Sequence, residues 1–314
     1  MIDAIEELLK FDTVGDPMRD LRWTRKTPGK IATCLSPEIR ISSPTVSRLM
    51  KTMKFSLHVN RKMVSSPTTL SRKDRDLQFQ KIREIRERFE SHGWPIISVD
   101  AKKKELIGLF RNPGASYSRE ARAVKEKDFP SEADGKGLPY GIYDPIQNYG
   151  YVNVGTSHDT PQFAVNSIDR WWQQIGKALY PNKNRLLILA DSGGSNGATP
   201  RLWKRSIQDI LCNQHGLIVT VAHYPSGASK WNPIEHRLFG QISINWAGIP
   251  LENYAIMLNY IRSTKTTTGL RVNAELDERN YPTGIKVTDE QMMQLSIVNS
   301  EVHPKWNYTI SPNL

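Results

Sequence analysis

The sequence predicts a mixed α/β protein preceded by a basic helical segment, and three observations carry this expectation. Two short apolar runs, Pro95-Ile96-Ile97-Ser98-Val99-Asp100 and Leu186-Leu187-Ile188-Leu189-Ala190-Asp191, read as buried strands, and each ends in an aspartate. Amphipathic helical patterns lie between and after them, so strands and helices alternate along the chain. Charge is unevenly spread. The window 21–73 holds twelve Lys and Arg against the single acid Glu38, which equals the +11 excess of the whole 314-residue chain.

The N-terminal segment reads as short helices. Ile5, Leu8 and Leu9 form a small apolar stripe that ends before Gly15-Asp16-Pro17. Thr27-Pro28 is a cap followed by proline at the first helical position, with Ile31, Ala32 and Leu35 facing inward. Ser43-Pro44 repeats that start. Val46, Leu49, Met50 and Met53 follow at helical spacing, and the outer face carries Thr45, Arg48, Lys51 and Thr52. Two short helices, the second with a basic polar face, predict a helix-turn-helix that binds DNA through Thr45, Arg48 and Lys51. A small bundle with a solvated basic face is the plainer reading, and the charge asymmetry favours the former. Phe55, Leu57 and Val59 alternate as a short strand or wing would. A basic linker over 61–73 then separates a module at 1–74 from a body at 75–314.

In the body, a charged helix with Phe79, Ile82, Ile85 and Phe89 on one side stops at Gly93. Strands are expected at 95–100, 106–110, 151–154, 186–191 and 217–221. Helices are expected over 163–179, over 200–212 and again from Asn232. His158-Asp159 reads as a helix cap, and Trp171 and Trp172 as core and cover residues.

Composition excludes several classes. No run approaches the roughly 18 apolar residues of a membrane span. The start, Met1-Ile2-Asp3-Ala4-Ile5-Glu6-Glu7, lacks the basic and apolar regions of a signal peptide. Cys34 and Cys212 form no CxxC pair and read as free thiols. A soluble cytoplasmic protein is expected.

The two strand-end aspartates are the chemical signal. A carboxylate that follows a buried apolar run is costly unless it is paired or bound to a cation. Hard divalent cations take such oxygen ligands. A third acid, Glu235, lies in Lys230-Trp231-Asn232-Pro233-Ile234-Glu235-His236-Arg237-Leu238-Phe239, where Asn232-Pro233 reads as a cap and proline that put Glu235 in the first helical turn. Three acids from three elements suffice for a two-metal phosphodiester site. Taken singly, each acid is more simply a cap or a solvated turn residue. Lys102 to Lys104, beside Asp100, either hold phosphates or form a solvated charge run; Lys230 and Trp231, just before Glu235, are candidates for DNA contact, with packing the simpler role for the tryptophan.

Gly193-Gly194-Ser195-Asn196-Gly197 follows a strand and matches the nucleophile elbow of an α/β hydrolase, which would pair Ser195 with His223 or His236. No HGGG-like segment lies upstream, and Asp191 rather than the serine ends the strand. The same glycines lack the Gly-Lys-Ser/Thr of a phosphate-cradling loop.

Three runs carry a specific likeness: Ser98-Val99-Asp100-Ala101-Lys102-Lys103-Lys104-Glu105, Ala190-Asp191-Ser192-Gly193-Gly194-Ser195-Asn196-Gly197, and His223-Tyr224-Pro225 through Ser229-Lys230-Trp231-Asn232-Pro233-Ile234-Glu235-His236-Arg237-Leu238-Phe239. They resemble the ISAzo-thirteen insertion-sequence transposases, also called Rhodopirellula-type DDE transposases. Thr264 to Leu270, Leu276-Asp277, Tyr281-Pro282-Thr283-Gly284-Ile285-Lys286, Trp306-Asn307-Tyr308-Thr309-Ile310, Gly15-Asp16-Pro17 and Leu21-Arg22-Trp23-Thr24 extend the likeness over nearly the whole chain. The Asn-Pro-Ile-Glu element is also similar to the last motif of mariner-type transposases.

The resemblance implies a ribonuclease-H-like catalytic fold whose catalytic and metal-binding DDE trio falls on Asp100, Asp191 and Glu235. It implies two Mg²⁺ or Mn²⁺ ions and metal-dependent cleavage and transfer of DNA strands at the ends of an insertion sequence. The implied partners are double-stranded DNA, as terminal inverted repeats and target, and further copies of the chain in a synaptic complex. It places the protein on the bacterial nucleoid. Thr45, Arg48, Lys51, Lys102 and Lys230 are the expected DNA-binding residues. Family members extend further at the N-terminus, so this chain is expected to start inside a longer DNA-binding region. A truncated, non-catalytic DNA-binding repressor of transposition is the alternative.

Overall fold

The computed structural model describes residues 1–10, 13–16, 21–24, 26–36, 38–55 and 71–313. The chain forms two compact units, Met1–Val64 and Ser65–Leu314.

The first unit begins with helix α1 (Ile2–Lys10) and a hairpin, β1 (Thr13–Asp16) paired antiparallel with β2 (Leu21–Thr24). The hairpin stands where short helices alone were expected. Helices α2 (Pro28–Leu35) and α3 (Ser43–Thr52) follow. Thr27 caps α2 by accepting from the Lys30 amide at 3.3 Å. The cap of α3 is Ser42 rather than Ser43, and it accepts from the Thr45 amide at 3.4 Å. Ile5, Leu9, Ile31 and Val46 bury themselves as a small core, with Leu49, Met50 and Met53 packed against it. Arg48 and Lys51 are exposed on α3, whereas the Thr45 hydroxyl is bonded to that of Ser42 at 2.9 Å. Leu57 and Val59, expected as a wing, lie outside the described residues.

The second unit opens on α4 (Arg72–Ser91), capped by Ser71 and ended at Gly93, whose φ of +61° suits glycine. Strands β3 (Ile96–Ala101), β4 (Glu105–Ile107), β5 (Gly135–Asp144) and β6 (Tyr149–Gly155) come next. Helix α5 (Pro161–Trp171) runs through a π-wound stretch into α6 (Lys177–Leu179). Its cap is Thr160, which accepts from the Phe163 amide at 3.2 Å, not His158 or Asp159. Then follow β7 (Arg185–Asp191), α7 (Arg201–Ser206) with a π-wound extension to Asn213, and β8 (Ile218–Tyr224). A π-wound turn over Glu235–Phe239 leads into α8 (Gly240–Asn245) and α9 (Tyr254–Arg262). The chain ends with β9 (Arg271–Asp277), α10 (Asp289–Met293), β10 (Ile297–Asn299) and β11 (Asn307–Ile310).

Among the described residues these strands make one nine-stranded sheet in the order β10-β11-β8-β7-β3-β5-β6-β9, with β4 beside β5. Strands β3, β7 and β8 are mutually parallel, β5 is antiparallel to both β3 and β6, and β9 runs parallel to β6. The sheet is thus mixed and flanked by helices, as the alternation of strands and helices along the chain predicted.

Because β3 and β7 are central, both faces of each are covered, and each reads as a continuous apolar run. Ile97, Val99, Ile188 and Ala190 point to the face packed by α5 and α7 through Phe163, Trp171 and Trp203. Ile96, Leu187 and Leu189 point to the opposite face, under Ile82, Ile85 and Phe89 of α4. On that same side, Ile234, Leu238 and Phe239 pack with Met257 and Ile261 of α9 over Tyr143, Val152 and Val154 of β5 and β6. Strand ends open between these two helical groups.

Candidate active site

Alternation along the strands decides which side chains reach that opening. Ser98 and Asp100 share a face, as do Leu189 and Asp191. Val99 is paired with Ala190 in the parallel β3–β7 ladder, so Asp100 and Asp191 end neighbouring strands side by side. Asp100 stands opposite Gly141 on β5. A Cβ at Gly141 would lie 2.6 Å from Phe239 and 2.8 Å from Ile234. The absence of a side chain there lets the Glu235 turn rest on the sheet beside Asp100.

The three acids interact electrically. Burial pushes the Asp100 carboxyl up to about 8, and the charges of Asp191 and Glu235 add to this, as does a hydrogen bond with Glu235. The Ala101 amide, donating to Asp100 Oδ1 at 2.8 Å, opposes the shift. Asp191 is also raised, first by burial, while the Asn232 amide group counteracts and Glu235 reinforces.

Asn232 was expected to cap the helix; its side chain is turned instead to the acids. Nδ2 donates to Asp191 Oδ1 at 3.0 Å, and Oδ1 accepts a short hydrogen bond from Ser98 Oγ. Ser98 Oγ in turn accepts from the Ile234 amide at 3.3 Å. Both side chains are fully buried. The cap reading gave way because the Asn232 oxygen that would cap the helix is taken by the Ser98 hydroxyl, which itself accepts from the Ile234 amide, while the Asn232 amide nitrogen donates to the Asp191 carboxylate. Ser98 was missed as a functional residue, although a hydroxyl inside an apolar strand, two residues before a candidate ligand, demands a partner on that ligand's face.

His223 supports Asp191 from behind. Its Nδ1–H donates to the Asp191 carbonyl at 3.0 Å, and Nε2 faces the Tyr308 hydroxyl at 3.4 Å. Burial lowers its pKa to about 4, which keeps the ring neutral. This geometry removes the hydrolase reading. His223 is occupied, His236 Nε2 donates to the Lys230 carbonyl at 2.9 Å, and Ser195 Oγ is buried with no hydrogen-bond partner, hence no base, among the described residues.

The surrounding cations are placed unequally. Lys102 is half-buried, ion-paired with Glu105 at 2.9 Å and set 5.0 Å from the Trp246 ring centroid. A phosphate there would compete with that carboxylate. Lys103 and Lys104 are exposed, as is Lys230, whose ammonium lies 5.2 Å from the Trp231 ring centroid.

Like charges crowded in a half-buried crevice suit a divalent cation, which would offset the burial and repulsion that raise Asp100. Among the described residues no three His, Cys, Asp or Glu side chains converge closely enough to hold an ion by themselves. Mg²⁺ is commonly held by one or two carboxylates together with substrate phosphate and water, so the donor set fits that ion.

The profile of the Rhodopirellula transposase DDE domain matches residues 4–312. The chain belongs to that family. It is a DDE-type transposase, an enzyme of DNA strand cleavage and transfer. No curated protein sequence matches the transposase. Among solved structures, it is similar to a Mos1 transposase paired-end complex with left transposon end, at 15% identity and a TM-score of 0.42, over 83% of this chain and 69% of that one. A pre-cleavage Mos1 transpososome is similar at 14% identity and a TM-score of 0.44, over 83% and 70%. A Mos1 mariner paired-end complex with Mn gives 15% and 0.43 over the same shares. DDE transposases use divalent metals. No helix among the transposase's described residues is long and apolar enough to cross a membrane.

Proposed function

We propose that Asp100, Asp191 and Glu235 are the catalytic and metal-binding trio of this transposase, acting at the ends of its own insertion sequence. One observation carries the reading: two half-buried aspartates end adjacent parallel strands, and a glutamate from a separate element comes near enough to raise one of them. Hydrolysis and strand transfer are both in-line displacements at a phosphodiester, with water as nucleophile in the first and a DNA 3′-hydroxyl in the second. Two Mg²⁺ or Mn²⁺ ions held by the trio would activate the attacking oxygen and stabilise the leaving one. The chain's own part is positional. Asp100 and Asp191 are fixed by the sheet, Glu235 by the packing of Phe239 and Ile234 over Gly141, and Asn232 orients Asp191. No covalent enzyme intermediate is needed, and Ser195 takes no part.

The same proposal assigns DNA recognition to the N-terminal unit, with α2 and α3 as a helix-turn-helix presenting Arg48 and Lys51, and Thr45 at its edge. It takes terminal inverted repeats and target DNA as substrates and a synaptic oligomer on the nucleoid as the working form. The test is cleavage of DNA carrying the element's ends. Asp100→Ala, Asp191→Ala and Glu235→Ala should each abolish Mg²⁺-dependent cleavage and leave duplex binding intact, whereas Ser195→Ala should be nearly neutral. Robust cleavage by Glu235→Ala, or cleavage in chelator, would overturn the assignment.

A further inference from the structure

Helix α7 carries three cations, and they are not equivalent. Arg201 is ion-paired with Asp289 and Arg205 with Asp209, each at 2.7 Å. Lys204 has no carboxylate within ion-pair reach among the described residues; its half-buried ammonium lies instead 4.9 Å from the Tyr308 ring centroid. That ring is pinned, because its hydroxyl accepts from Trp203 Nε1 at 3.0 Å. Burial, and then the charge of Lys305, holds the Lys204 ammonium below the usual lysine range. Lys305 is exposed and likewise has no carboxylate partner among the described residues. Two such ammonium groups close together repel, and an anion shared between them removes that cost.

The strand register locates the pair. Asp191 stands opposite Tyr224 in the β7–β8 ladder. The His223 amide donates to the Trp306 carbonyl at 3.0 Å, so the Lys305 turn continues the β11 edge toward the level of Asp191. Neighbouring strands lie about 4.8 Å apart, which puts this turn about 10 Å from Asp191 across the two steps from β7 to β11, at the same end of the sheet.

We infer that Lys204 and Lys305 together bind one backbone phosphate of the DNA, within about three nucleotides of the phosphate that is cut, at a rise of about 3.4 Å per nucleotide. The inference rests on the catalytic assignment above, because Asp191 is the origin of that distance. A lysine ammonium is a point charge that holds phosphate without reading sequence. The fixed ring beneath Lys204 holds its ammonium in place beforehand, so little side-chain freedom is lost when the phosphate arrives. The two arginines of the same helix are already neutralised by carboxylates and do not compete for the anion.

The experiment uses the full chain and a fluorescent duplex of the element's end, in which the phosphates near the cut are replaced one at a time by neutral methylphosphonate. One of these replacements should weaken binding by the parent about 3- to 10-fold at low salt. Lys204→Met with Lys305→Met should lose a similar amount on unmodified DNA, lower the salt slope by about one, and be indifferent to that same replacement. Lys204→Arg keeps the charge and should keep the parent's response. Circular dichroism would establish that the variants fold. Parent-like affinity and salt slope in the double methionine variant would overturn the inference, and so would a double variant that every replacement weakens as it weakens the parent. Asp191→Ala should lose cleavage and retain the parent's pattern of replacements. A cleaving Asp191→Ala protein would instead defeat the catalytic assignment, whatever the lysine variants do.

Discussion

Asn232 donates to Asp191 Oδ1 across 3.0 Å while its carbonyl oxygen accepts from Ser98, so one buried amide joins the ends of β7 and β3 to the turn that bears Glu235. The amide is built for this: a carboxylate only accepts, and an asparagine can give a proton to one neighbour and take one from the other. Asn232→Ala should therefore leave Asp191 free to rotate and Ser98 without its acceptor. Cleavage is expected to fall about 10- to 100-fold, with a higher Mg²⁺ concentration at half-maximal rate. A metal titration of cleavage by the variant checks this, and an unchanged midpoint would place Asn232 outside the site's support.

Gly141 makes a second test of how the site is assembled. Its missing side chain admits Phe239 and Ile234 to the sheet directly opposite Asp100. Gly141→Ala should force these rings and methyls back, at a cost of about 1–3 kcal/mol in stability. Because the displaced residues flank Glu235, cleavage should drop more than stability alone explains. Thermal denaturation beside a rate measurement at a temperature where the variant is folded separates the two effects.

These same residues show what was legible in the sequence. Strands β3 and β7 stood out because parallel strands covered on both faces are unbroken apolar runs, and their terminal aspartates were visible for the same reason. Strand β5, which lies next to β3, did not stand out. Its Gly135, Gly137, Pro139 and Gly141 interrupt the apolar alternation that marks a strand, yet Gly137 and Gly141 lie where Met257 and Phe239 crowd the backbone. Strands β1 and β2 hold four residues each, too few for a period to show. Asn232-Pro233 carried a true helix-start signal, and only the three-dimensional neighbourhood of Asp191 redirected the side chain.

The N-terminal unit offers a charge-based prediction. Arg48 and Lys51 are exposed on α3, a helix whose other side is buried through Val46. If they meet phosphates, duplex affinity should fall steeply with added salt, as counterions released on binding demand. Arg48→Ala with Lys51→Ala should weaken binding and flatten the salt slope by about two. Parent-like binding with a parent-like slope would remove α3 as the contacting helix.

Asp277 predicts acid sensitivity far from the catalytic acids. It is fully buried at the end of β9. Burial works to raise its pKa, but Arg279 at 2.8 Å, Asn153 at 3.1 Å and Tyr281 at 2.8 Å all donate to it and hold it well below the usual carboxylate range. A depressed folded-state pKa gives stability that is present above the unfolded value of 3.8 and is lost as pH falls below it. Asp277→Asn should destabilise the protein by about 3–5 kcal/mol at neutral pH, since Arg279 and Arg170 lose their buried partner. The gap between variant and parent should narrow as pH falls through the acid range. A gap that stays constant from pH 7 to strong acid would mean that the carboxylate's charge is not what holds this network.

Asp100 predicts the opposite dependence. Burial, then the neighbouring charges, raise it from 3.8 to about 8, so between these values the folded chain binds a proton that the unfolded chain does not. By linkage, this group's contribution to stability falls as pH rises from about 4 to 8. In chelator, Asp100→Asn should therefore melt above the parent at pH 8, and the two should converge toward pH 4. A divalent ion needs the deprotonated carboxylate, so Mg²⁺ binding should release a proton and tighten with pH up to about 8. Melting curves of parent and variant, with and without Mg²⁺ over this range, measure both effects. Should Asp100→Asn prove less stable than the parent in chelator at pH 8, the crowding of charge around Asp100 would not be the strain proposed. Should Mg²⁺ stabilise the variant as much as the parent, Asp100 would not be a ligand.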